Sequence, residues 1–349
     1  MIAVVIPTRN EARVILRRLG NLLIARWPET DSVCRVILVD DGSTDDTVAR
    51  ALEWEGGLRS CPFEFEVISN DGEPGKAGAI RAGLAVLDER TKLVILTDAD
   101  VVVHPRALLA TLDAFESDAR LGMASGSQRF VRDLATDGSL RAANLGGLVS
   151  ADSMYDRLTG LVRAVESRFG KLVSVHGQWL AWRAELDLRP TSGIAADDLD
   201  LLFQVRSRGH RVRRVPEALF VEERTSKDAG RAEQGLRRAR AWFQVFAHAR
   251  RPLLGRGVVD RLQALAYATL PRWAPEWALG ALVFGALGVF SGGPWRALGA
   301  PLAVLGFCLF VWIPISTIRR ARSSYGELSD RWDQARGRDG FGSGAGTAG

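Results

Sequence analysis

The chain has 349 residues, of which 47% are hydrophobic and 25% are charged, so it can bury one sizeable core and still leave material for a smaller region. Its formal net charge of +5 suits contact with phosphates or lipid headgroups, but no Lys/Arg-rich block alternates with aromatic residues, which excludes a nucleic-acid-binding protein. The three cysteines are too widely spaced for a zinc cluster, and an odd, sparse set indicates a reducing cytosol rather than a disulfide framework.

The first hundred residues alternate between strand-like apolar runs and helical patterns. The chain opens directly on the first run with no basic segment before it, so we expect no signal peptide and a cytoplasmic location for this part. Strand–helix alternation with short linkers predicts an α/β fold whose sheet is mostly parallel and covered on both faces. The predicted strands are 2–6, 35–39, 64–68 and 93–96, and the predicted helices are 11–23, 44–54 and 78–87.

The second half of the chain has a less regular pattern. The predicted strands are 122–132, 177–182, 211–215 and 219–222, and the helical segments are 140–171 and 198–208. No internal repeat is present in the sequence. The tail from residue 336 onward is rich in glycine and is predicted to be disordered.

Two uncharged segments near the C-terminus are long enough to cross a bilayer. Residues 277–295 and 297–318 contain 19 and 22 residues without a charge, and about 20 apolar residues suffice for a membrane-spanning helix. Arg272 and Arg319 flank the pair on its outer sides, so the positive-inside rule predicts a hairpin with both ends in the cytoplasm. Residues 256–270 mix basic and apolar side chains and could lie along the membrane surface. The alternative is a pair of buried helices in a soluble domain.

Asp98-Ala99-Asp100 directly follows the buried strand predicted at 93–96. In an extended chain, residues two apart point the same way, so both carboxylates can address one divalent cation. Mg²⁺ or Mn²⁺ favours such oxygen ligands and commonly bridges a protein to substrate phosphates. Two acidic residues at a strand end also fit a helix N-cap or a solvated turn.

Three further motifs surround this pair of aspartates in the sequence. They are Pro-Thr-Arg-Asn-Glu at 7–11, Asp-Asp-Gly-Ser-Thr-Asp at 40–45 and Gly-Lys-Ala-Gly-Ala at 75–79. In this order and spacing, and together with 98–100, they closely resemble the motifs of family-2 glycosyltransferases of the GT-A fold. The resemblance covers about residues 1–225 and implies a Rossmann-like domain that binds a nucleotide-diphosphate sugar.

The resemblance implies a role for each matching residue, and each role also has a structural alternative. Pro7, Thr8 and Glu11 would line the nucleotide pocket, with Glu11 reaching the ribose or base. Asp41 would bond the base, Lys76 would lie near the nucleotide or its phosphates, Asp98 would contact the ribose or share the metal, and Asp100 would hold the metal. Alternatively, Pro7 terminates a strand and Lys76 is a surface charge.

A candidate catalytic base lies about a hundred residues after the aspartate pair, at Asp197-Asp198. The family usually has Glu-Asp here with the second residue as base, which implies that Asp198 deprotonates the acceptor hydroxyl; Asp197 takes this role if the register differs by one. The alternative is an acidic helix N-terminus that complements the helix dipole. The segment 176–183 resembles the family's acceptor side, where Trp179 or Trp182 could stack on a sugar ring or pack in the core.

A basic segment at 234–242 resembles, imperfectly, the Q-x-x-R-W motif of membrane-bound polysaccharide synthases. Gln234, Arg237 and Arg240 share one helical face, but Arg238 stands where the motif has tryptophan. The two arginines of that face could neutralise the departing diphosphate, or they could rest on anionic lipid.

These observations predict four regions. They are a GT-A catalytic domain at 1–230, an amphipathic membrane-surface segment at 231–272, two transmembrane helices at 273–318 and a cytoplasmic tail at 319–349. The expected function is metal-dependent, inverting transfer of a sugar from a UDP- or GDP-sugar to a lipid-linked or cell-envelope glycan, by a multi-pass protein of the cell (inner) membrane. The alternatives are a non-catalytic membrane scaffold and a nucleotidyltransferase.

Overall fold

The structure is a computed structural model that describes residues 1–28, 34–56, 61–131, 134–140, 154–194, 196–223, 245 and 257–291. The chain divides into two compact units, and the first of them carries the motifs at 7–11, 40–45, 75–79 and 98–100 and the pair at 197–198. The first unit comprises Met1–Ser226 with Leu254–Arg256, and the second comprises Lys227–Leu253 with Gly257–Gly349.

One eight-stranded sheet organises the first unit. Its strands are β1 (Ile2–Thr8), β2 (Cys34–Asp40), β3 (Glu64–Ser69), β4 (Leu93–Thr97), β5 (Val102–Val103), β6 (Leu121–Val131), β7 (Trp179–Arg183) and β8 (Arg211–Glu223). The helices are α1 (Ile15–Ile24), α2 (Thr47–Gly56), α3 (Lys76–Ala85), α4 (Ala107–Ser117), α5 (Met154–Arg168) and α6 (Asp197–Ser207). The α/β fold and the alternation along the first hundred residues are confirmed.

The sheet is mixed: it contains the parallel strands that the sequence predicted and, in addition, antiparallel strands from the second half of the chain. Its strand order is β3-β2-β1-β4-β7-β6-β8-β5. The four strands of the first hundred residues are parallel, but β7 is antiparallel to both of its neighbours, β4 and β6, and β5 is antiparallel to β8. The pairings of β7 lie in the part of the sequence where the strand–helix alternation is less regular.

Residue alternation along β1 explains how the sheet is covered on both faces. Val4 and Ile6 belong to one core cluster with Ile15 and Leu19 of α1. Val5 points the other way, toward α3, where a Cβ on Gly83 would lie 2.6 Å from its Cγ1 atom. Buried on both faces, such strands carry nearly continuous apolar runs, which is why they are readable from sequence.

Three elements differ from the predictions for the second half. Helix α4 and the short strand β5 were not predicted, although Leu108, Thr111 and Phe115 form a buried stripe on α4. The two predicted strands at 211–215 and 219–222 are one strand, β8. Its pairing with β6 shifts register around Pro216, so this residue, which has no N–H, falls in a bulge where no ladder bond is needed. Of the helical segment 140–171, residues 154–168 form α5, and 141–153 lie outside the described residues.

The second unit is described mainly by one helix, α7 (Val258–Ser291), whose exposed apolar side chains include Val258, Leu262 and Phe284. Among the residues that the structure describes, no helix is both long enough and apolar enough to cross a membrane. The first predicted membrane segment, 277–295, is described only as far as residue 291, and the second, 297–318, lies outside the described residues. The membrane hairpin therefore stays a prediction.

Candidate active site

The carboxyl ends of β1, β2 and β4 meet at one edge of the sheet and bring the motifs together. Thr8 is paired with Asp40 across β1 and β2, and the aspartate pair 98–100 follows the end of β4. Polar loops at the carboxyl ends of parallel strands are where α/β sheets place their ligands. The motif residues therefore meet at one edge of the sheet, and their binding roles stay predictions.

Hydrogen bonds join the loop after β1 to the loop after β2. Asn10 donates its backbone N–H to Ser43 Oγ over 3.0 Å, and its side-chain Oδ1 accepts the Thr44 N–H over 2.8 Å. Asn10 has a φ of 56°, a left-handed conformation that asparagine tolerates better than most residues. Glu11 donates its backbone N–H to Thr47 Oγ1 over 2.8 Å, so the first turn of α2 holds the first motif in place.

The carboxylate of Asp41 is hydrogen-bonded to a third loop, the one that precedes α3. It accepts hydrogen bonds from the Gly75 N–H over 2.8 Å and from Asn70 Nδ2 over 2.7 Å, and Arg9 Nη1 lies 3.6 Å from it. The side chain is buried. Asp41 therefore has a structural role in addition to the base contact that the resemblance implies, which stays a prediction.

Two glycines shape the segment that carries Lys76. Gly75 has a φ of 104°, which side-chain-bearing residues rarely adopt. A Cβ on Gly78 would lie only 1.6 Å from the carbonyl oxygen of Glu73, so the backbone passes too closely for any side chain. Lys76 begins α3 and extends its Nζ to 2.6 Å from Asp98 Oδ1.

Lys76 lies among four aspartates that come from two distant parts of the chain. Desolvation opposes its charged form, but the charges of Asp98 and then Asp197 outweigh this effect and raise the pKa of Lys76, although its side chain is 40% exposed. Asp198 acts on it in the same direction, and the charge of Lys76 partly offsets the rise in the pKa of Asp100. The structure thus places the motif at 98–100 and the pair at 197–198 around one ammonium group.

Negative charge accumulates at the donor edge of this site. Burial, followed by the charges of Asp100 and Asp98, raises the pKa of Glu11 to about 7. Desolvation and the charge of Asp98 also raise the pKa of Asp100, although its side chain keeps contact with solvent. Arg17 of α1 partly offsets this charge and reaches the backbone oxygen of Asp100 over 3.4 Å.

Asp197 and Asp198 are the first two residues of α6. Burial and the neighbouring charge of Asp197 raise the pKa of Asp198 to about 6, against the lowering effect of Lys76. Asp198 Oδ1 accepts the Leu199 N–H over 2.8 Å. The Oδ2 atom of Asp197 is buried and has no hydrogen-bond partner in the described part of the chain. Both side chains are half-buried, and the Asp197 oxygen leaves a hydrogen-bonding position that a bound group could fill.

A buried arginine beneath the motif at 98–100 was missed from the sequence. Arg18 is fully buried and donates to Thr97 Oγ1 over 2.8 Å and to Asn21 Oδ1 over 2.9 Å. Thr97 donates in turn to the carbonyl oxygen of Gln178 over 2.8 Å, which links the end of β4 to the segment before β7. The available signal was a basic residue on the apolar stripe of α1, next to Leu19.

The two tryptophans proposed for sugar stacking are in the core, which corrects that hypothesis. Trp179 and Trp182 are 2% and 1% exposed, and the Trp179 indole N–H donates to Thr111 Oγ1 over 3.0 Å. Neither ring can stack on a sugar. The segment does reach the acceptor side through Gly177, where a Cβ would lie 3.4 Å from the Cβ of Asp198.

Several other predicted site residues are described in part or not at all. Thr8 is buried and donates its hydroxyl to the carbonyl oxygen of Val39 over 3.0 Å, while Pro7 is half-buried beside it. Arg237 and Arg240 lie outside the described residues, so their phosphate-binding role stays a prediction.

The donor set at 98–100 fits a hard divalent cation that also binds phosphate oxygens. Asp98 and Asp100 offer only oxygen ligands, and their charges add to the effect of burial in raising the pKa of nearby Glu11, an addition that a bound cation would reduce. Among the described residues, no group of three His, Cys, Asp or Glu side chains is arranged to hold a metal. Mg²⁺-type sites commonly use one or two carboxylates and complete their coordination with water and substrate phosphates.

A cleft of about 290 Å³ lies at the opposite edge of the sheet, by the amino ends of β1, β2 and β3. Its charged groups pair with each other: Arg35 lies 2.6 Å from Glu66, and Arg90 lies 2.7 Å from Asp88. No motif residue lines this cleft, so the candidate site is at the edge that carries Lys76.

The fold and the site together define a glycosyltransferase of the GT-A type. Residues 3–138 match the model of Glycosyl transferase family 2, and residues 93–319, more than half of the chain, match the model of Glycosyl transferase family group 2. The chain belongs to Glycosyl transferase family group 2, a family of transferase enzymes.

Curated relatives and solved structures agree with this assignment. The chain is 34% identical over 100 residues to the dolichyl-phosphate beta-glucosyltransferase of Saccharomyces cerevisiae (28% of this chain, 29% of the relative). It is 37% identical over 103 residues to the uncharacterized glycosyltransferase YaiP of Escherichia coli K12 (29% of this chain, 23% of the relative). The matched regions span less than half of each relative.

Among solved structures, the mannosyltransferase PcManGT from Pyrobaculum calidifontis, in complex with GDP-Man and Mn²⁺, has a TM-score of 0.66 at 23% identity. That match covers 93% of this chain and 86% of the mannosyltransferase. At this identity the likeness shows a shared fold.

Proposed function

We propose that this protein transfers a sugar from a UDP- or GDP-sugar to a membrane-associated acceptor, a lipid-linked or cell-envelope glycan, with inversion at the anomeric carbon. The observation that carries the proposal is the convergence on Lys76 of the motif at 98–100, which would hold the donor, and the pair at 197–198, which would hold the acceptor. A donor site alone would serve a binding protein. Carboxylates on the acceptor side add the base that transfer requires.

The residues divide the chemistry between them. Asp198 accepts the proton of the acceptor hydroxyl, and that oxygen forms a bond to the anomeric carbon as the bond to the nucleoside diphosphate breaks. With its pKa raised to about 6, Asp198 is ionised at neutral pH and still basic enough to take a proton. Lys76 and Arg17 lie where they can stabilise the departing diphosphate.

Asp98 and Asp100 would hold a divalent cation, Mg²⁺ or Mn²⁺, beside the diphosphate. When bound, the ion supplies positive charge that stabilises the leaving group. Mn²⁺ and GDP-Man accompany the mannosyltransferase of similar fold, which supports the choice of metal and of donor class.

The membrane part of the proposal is supported by sequence and by one relative. Residues 277–295 and 297–318 carry no charge and are flanked by Arg272 and Arg319, which would make a two-helix anchor with the catalytic domain on the cytoplasmic side of the cell (inner) membrane. The similar yeast glucosyltransferase bears dolichyl phosphate in its name, so it acts with a lipid.

The test is a transfer assay on the full-length chain with UDP- and GDP-sugars, Mn²⁺, Mg²⁺ or EDTA, and lipid extracts against soluble glycans. We expect metal-dependent transfer to a lipid-extractable product. Equal transfer to both acceptor types would contradict a membrane-associated acceptor. Donor binding without any transfer, measured as a donor-induced rise in Tm, would favour the non-catalytic scaffold.

A matched pair of variants completes the assay. Asp100→Asn removes a proposed metal ligand, and Asp113→Asn, on α4, removes an aspartate that is not part of the site. We expect Asp100→Asn to abolish metal-dependent transfer and Asp113→Asn to leave transfer unchanged.

A nucleotidyltransferase is the other alternative, and it would release pyrophosphate from a nucleoside triphosphate. It is disfavoured because residues 8–11 contain no glycine for a phosphate loop.

A further inference from the structure

Glu73 joins the loop that precedes α3 to a segment that comes 119 residues later in the chain. Its Oε2 atom accepts the Ser192 hydroxyl over 2.6 Å, and Arg81 Nη2 donates to the same oxygen over 2.6 Å. Arg81 also donates from Nη1 to the carbonyl oxygen of Pro190 over 3.0 Å. We call Glu73, Arg81, Pro190 and Ser192 the Glu73 cluster.

On the donor side, the backbone of Glu73 is held in place. Its carbonyl oxygen accepts Asn70 Nδ2 over 2.9 Å, and the same amide group donates to Asp41 over 2.7 Å. This carbonyl oxygen also lies so close to Gly78 that an added Cβ would be 1.6 Å away. Glu73 therefore belongs to the loop whose backbone places Lys76 at the start of α3.

On the acceptor side, the segment that Glu73 contacts is bound to α6. The Thr191 N–H donates to Asp200 Oδ2 over 2.7 Å, and Gln204 Nε2 donates to the carbonyl oxygen of Arg189 over 2.7 Å. Helix α6 begins with the pair at 197–198. The Glu73 cluster therefore connects the loop that carries Lys76 with the helix that carries the candidate base.

Solvent exposure limits what the Glu73 cluster can contribute to stability. The Glu73 side chain is 44% exposed, and Ser192 is exposed as well. Ion pairs in contact with solvent contribute little to the free energy of unfolding. The hydrogen bond from Ser192, and then the charge of Arg81, lower the pKa of Glu73 against the effect of desolvation, so the carboxylate is ionised at neutral pH. The main consequence of these contacts is therefore geometric.

We propose that Glu73 is a positioning residue that sets the distance between Lys76, on the leaving-group side, and Asp198, on the acceptor side. It acts through the loop before α3 and through the segment bound to α6. In a single displacement the acceptor oxygen, the anomeric carbon and the leaving oxygen must be in line, and a misplacement of about 1 Å can cost about 10²-fold in rate. This inference rests on the proposed function, because it concerns the geometry of that reaction.

Steady-state transfer by variants of the full-length chain tests this inference, with the donors, Mn²⁺ and lipid extracts of the assay above. We expect kcat to fall by about tenfold in Glu73→Ala and in Ser192→Ala, with the donor-induced Tm shift unchanged. Ser192→Thr keeps the hydroxyl and should retain the kcat of the wild type. The double variant should lose no more than either single variant, because both substitutions remove the same contact. An unchanged kcat, or a loss of donor affinity, would overturn the proposal.

Glu66→Ala is the matched control for Glu73→Ala. Glu66 lies 2.6 Å from Arg35, the same separation as between Glu73 and Arg81, and its side chain is 36% exposed. The Glu66 pair lines the cleft at the opposite edge of the sheet. Its loss should change Tm as much as the loss of Glu73 does and leave kcat unchanged. An equal fall of kcat in Glu66→Ala would show a general effect of stability and would overturn the positioning role.

Hydrogen exchange, read by mass spectrometry, gives a result that needs no turnover. Glu73→Ala should speed amide exchange in the peptide 187–194, which includes the Thr191 N–H, and Glu66→Ala should not. Equal exchange of this peptide in the two variants would overturn the proposal.

The wild-type chain distinguishes failure of this inference from failure of the proposed function. If the wild type transfers sugar and Glu73→Ala keeps its kcat, only the positioning role fails. If the wild type forms no product with any donor, the proposed function fails, and faster exchange in Glu73→Ala would still show that Glu73 holds the two segments together.

Discussion

The two sides of the active site are built in different ways. On the donor side, residues 1–100, the motif side chains also hold the loops together: Asp41 bonds Gly75, and Asn10 bonds Thr44. On the acceptor side, Asp197 and Asp198 are held mainly by their place at the start of α6, and the Oδ2 atom of Asp197 has no partner among the described residues. The donor motifs therefore hold neighbouring loops together, whereas the Asp198 carboxylate accepts a hydrogen bond from within its own helix, the Leu199 N–H.

The largest expected effect is on the acceptor side. Asp198→Asn keeps the shape of the side chain but removes the base, so we expect kcat to fall by about 10²–10⁴-fold while the fold and donor affinity stay unchanged. The measurement is sugar transfer under saturating donor, together with the donor-induced Tm shift.

Asp197→Asn is the matched control for Asp198→Asn, because the two residues are neighbours on the first turn of α6. A larger loss of kcat in Asp197→Asn would assign the base to Asp197. Loss of donor binding in Asp198→Asn would show that the acceptor carboxylates also hold the donor-side loops in place. The two sides of the site would then not differ in the way described above.

On the donor side, the expected effect is on folding. Gly78→Ala places a Cβ 1.6 Å from the Glu73 carbonyl oxygen, so the loop between Asn70 and Lys76 must move. We expect a loss of about 3 kcal/mol in the free energy of unfolding, the upper range for overpacking, with a parallel loss of donor affinity.

The control for Gly78→Ala is Gly56→Ala at the end of α2, where an added Cβ meets nothing within 4 Å. It should leave donor affinity unchanged and stabilise the protein slightly, by up to about 1 kcal/mol. Urea denaturation measures both variants. Equal stability of the two would show that the donor-side backbone adapts more freely than its hydrogen bonds suggest.

The donor side was also the side that the sequence predicted well. Strands β1 to β4 are buried on both faces and therefore carry long apolar runs, and the motif residues follow their ends. The acceptor side was harder to predict because β7 is antiparallel to both of its neighbours, β4 and β6. No local sequence pattern indicates such a pairing. Trp179 and Trp182 were ambiguous for the same reason, since burial depends on neighbours far away in the chain.

The dependence of stability on pH provides a second test on the donor side. The pKa of Glu11 rises from its ordinary value of 4.5 to about 7 in the folded protein. Between these values Glu11 keeps a proton in the folded protein that the unfolded chain has released, so the contribution of Glu11 to stability is fully present below pH 4.5 and is lost as the pH rises to 7. Asp198, with its pKa raised to about 6, adds a slope of the same sign.

Thermal unfolding between pH 4.5 and 7.5 measures this slope. Glu11→Gln should flatten it, and Mn²⁺ should flatten it in the wild type because a cation at Asp98 and Asp100 lowers the pKa of Glu11. Parallel curves of Tm against pH for wild type and Glu11→Gln would mean that the raised pKa of Glu11 does not cause the slope.

The smallest expected change in stability concerns Arg18, which lies under both sides. Its guanidinium bonds Thr97 and Asn21, and its Nε atom is buried without a partner in the described part of the chain. Replacing a buried charge with an apolar side chain of similar size is often nearly neutral, so Arg18→Met should change the free energy of unfolding by no more than about 1 kcal/mol.

Arg18 can act on the metal site through its charge or by positioning Thr97, and the affinity for Mn²⁺ distinguishes the two roles. Burial lowers the pKa of Arg18 to about 10, and the charges of Asp98 and Asp100 partly offset this effect, so the guanidinium and the two carboxylates attract each other. If Arg18 acts through its charge, Arg18→Met removes a competing cation, and Mn²⁺ should bind about threefold more tightly, with Arg18→Lys close to wild type. If it acts by holding Thr97 in place, Mn²⁺ binding should weaken in both variants, because a lysine cannot reproduce the two directed hydrogen bonds. Titration of Mn²⁺ by electron paramagnetic resonance shows directly whether Mn²⁺ affinity rises or falls in each variant, and it needs no turnover. The result decides whether the donor side depends on the buried charge of Arg18 or on the geometry that this side chain maintains.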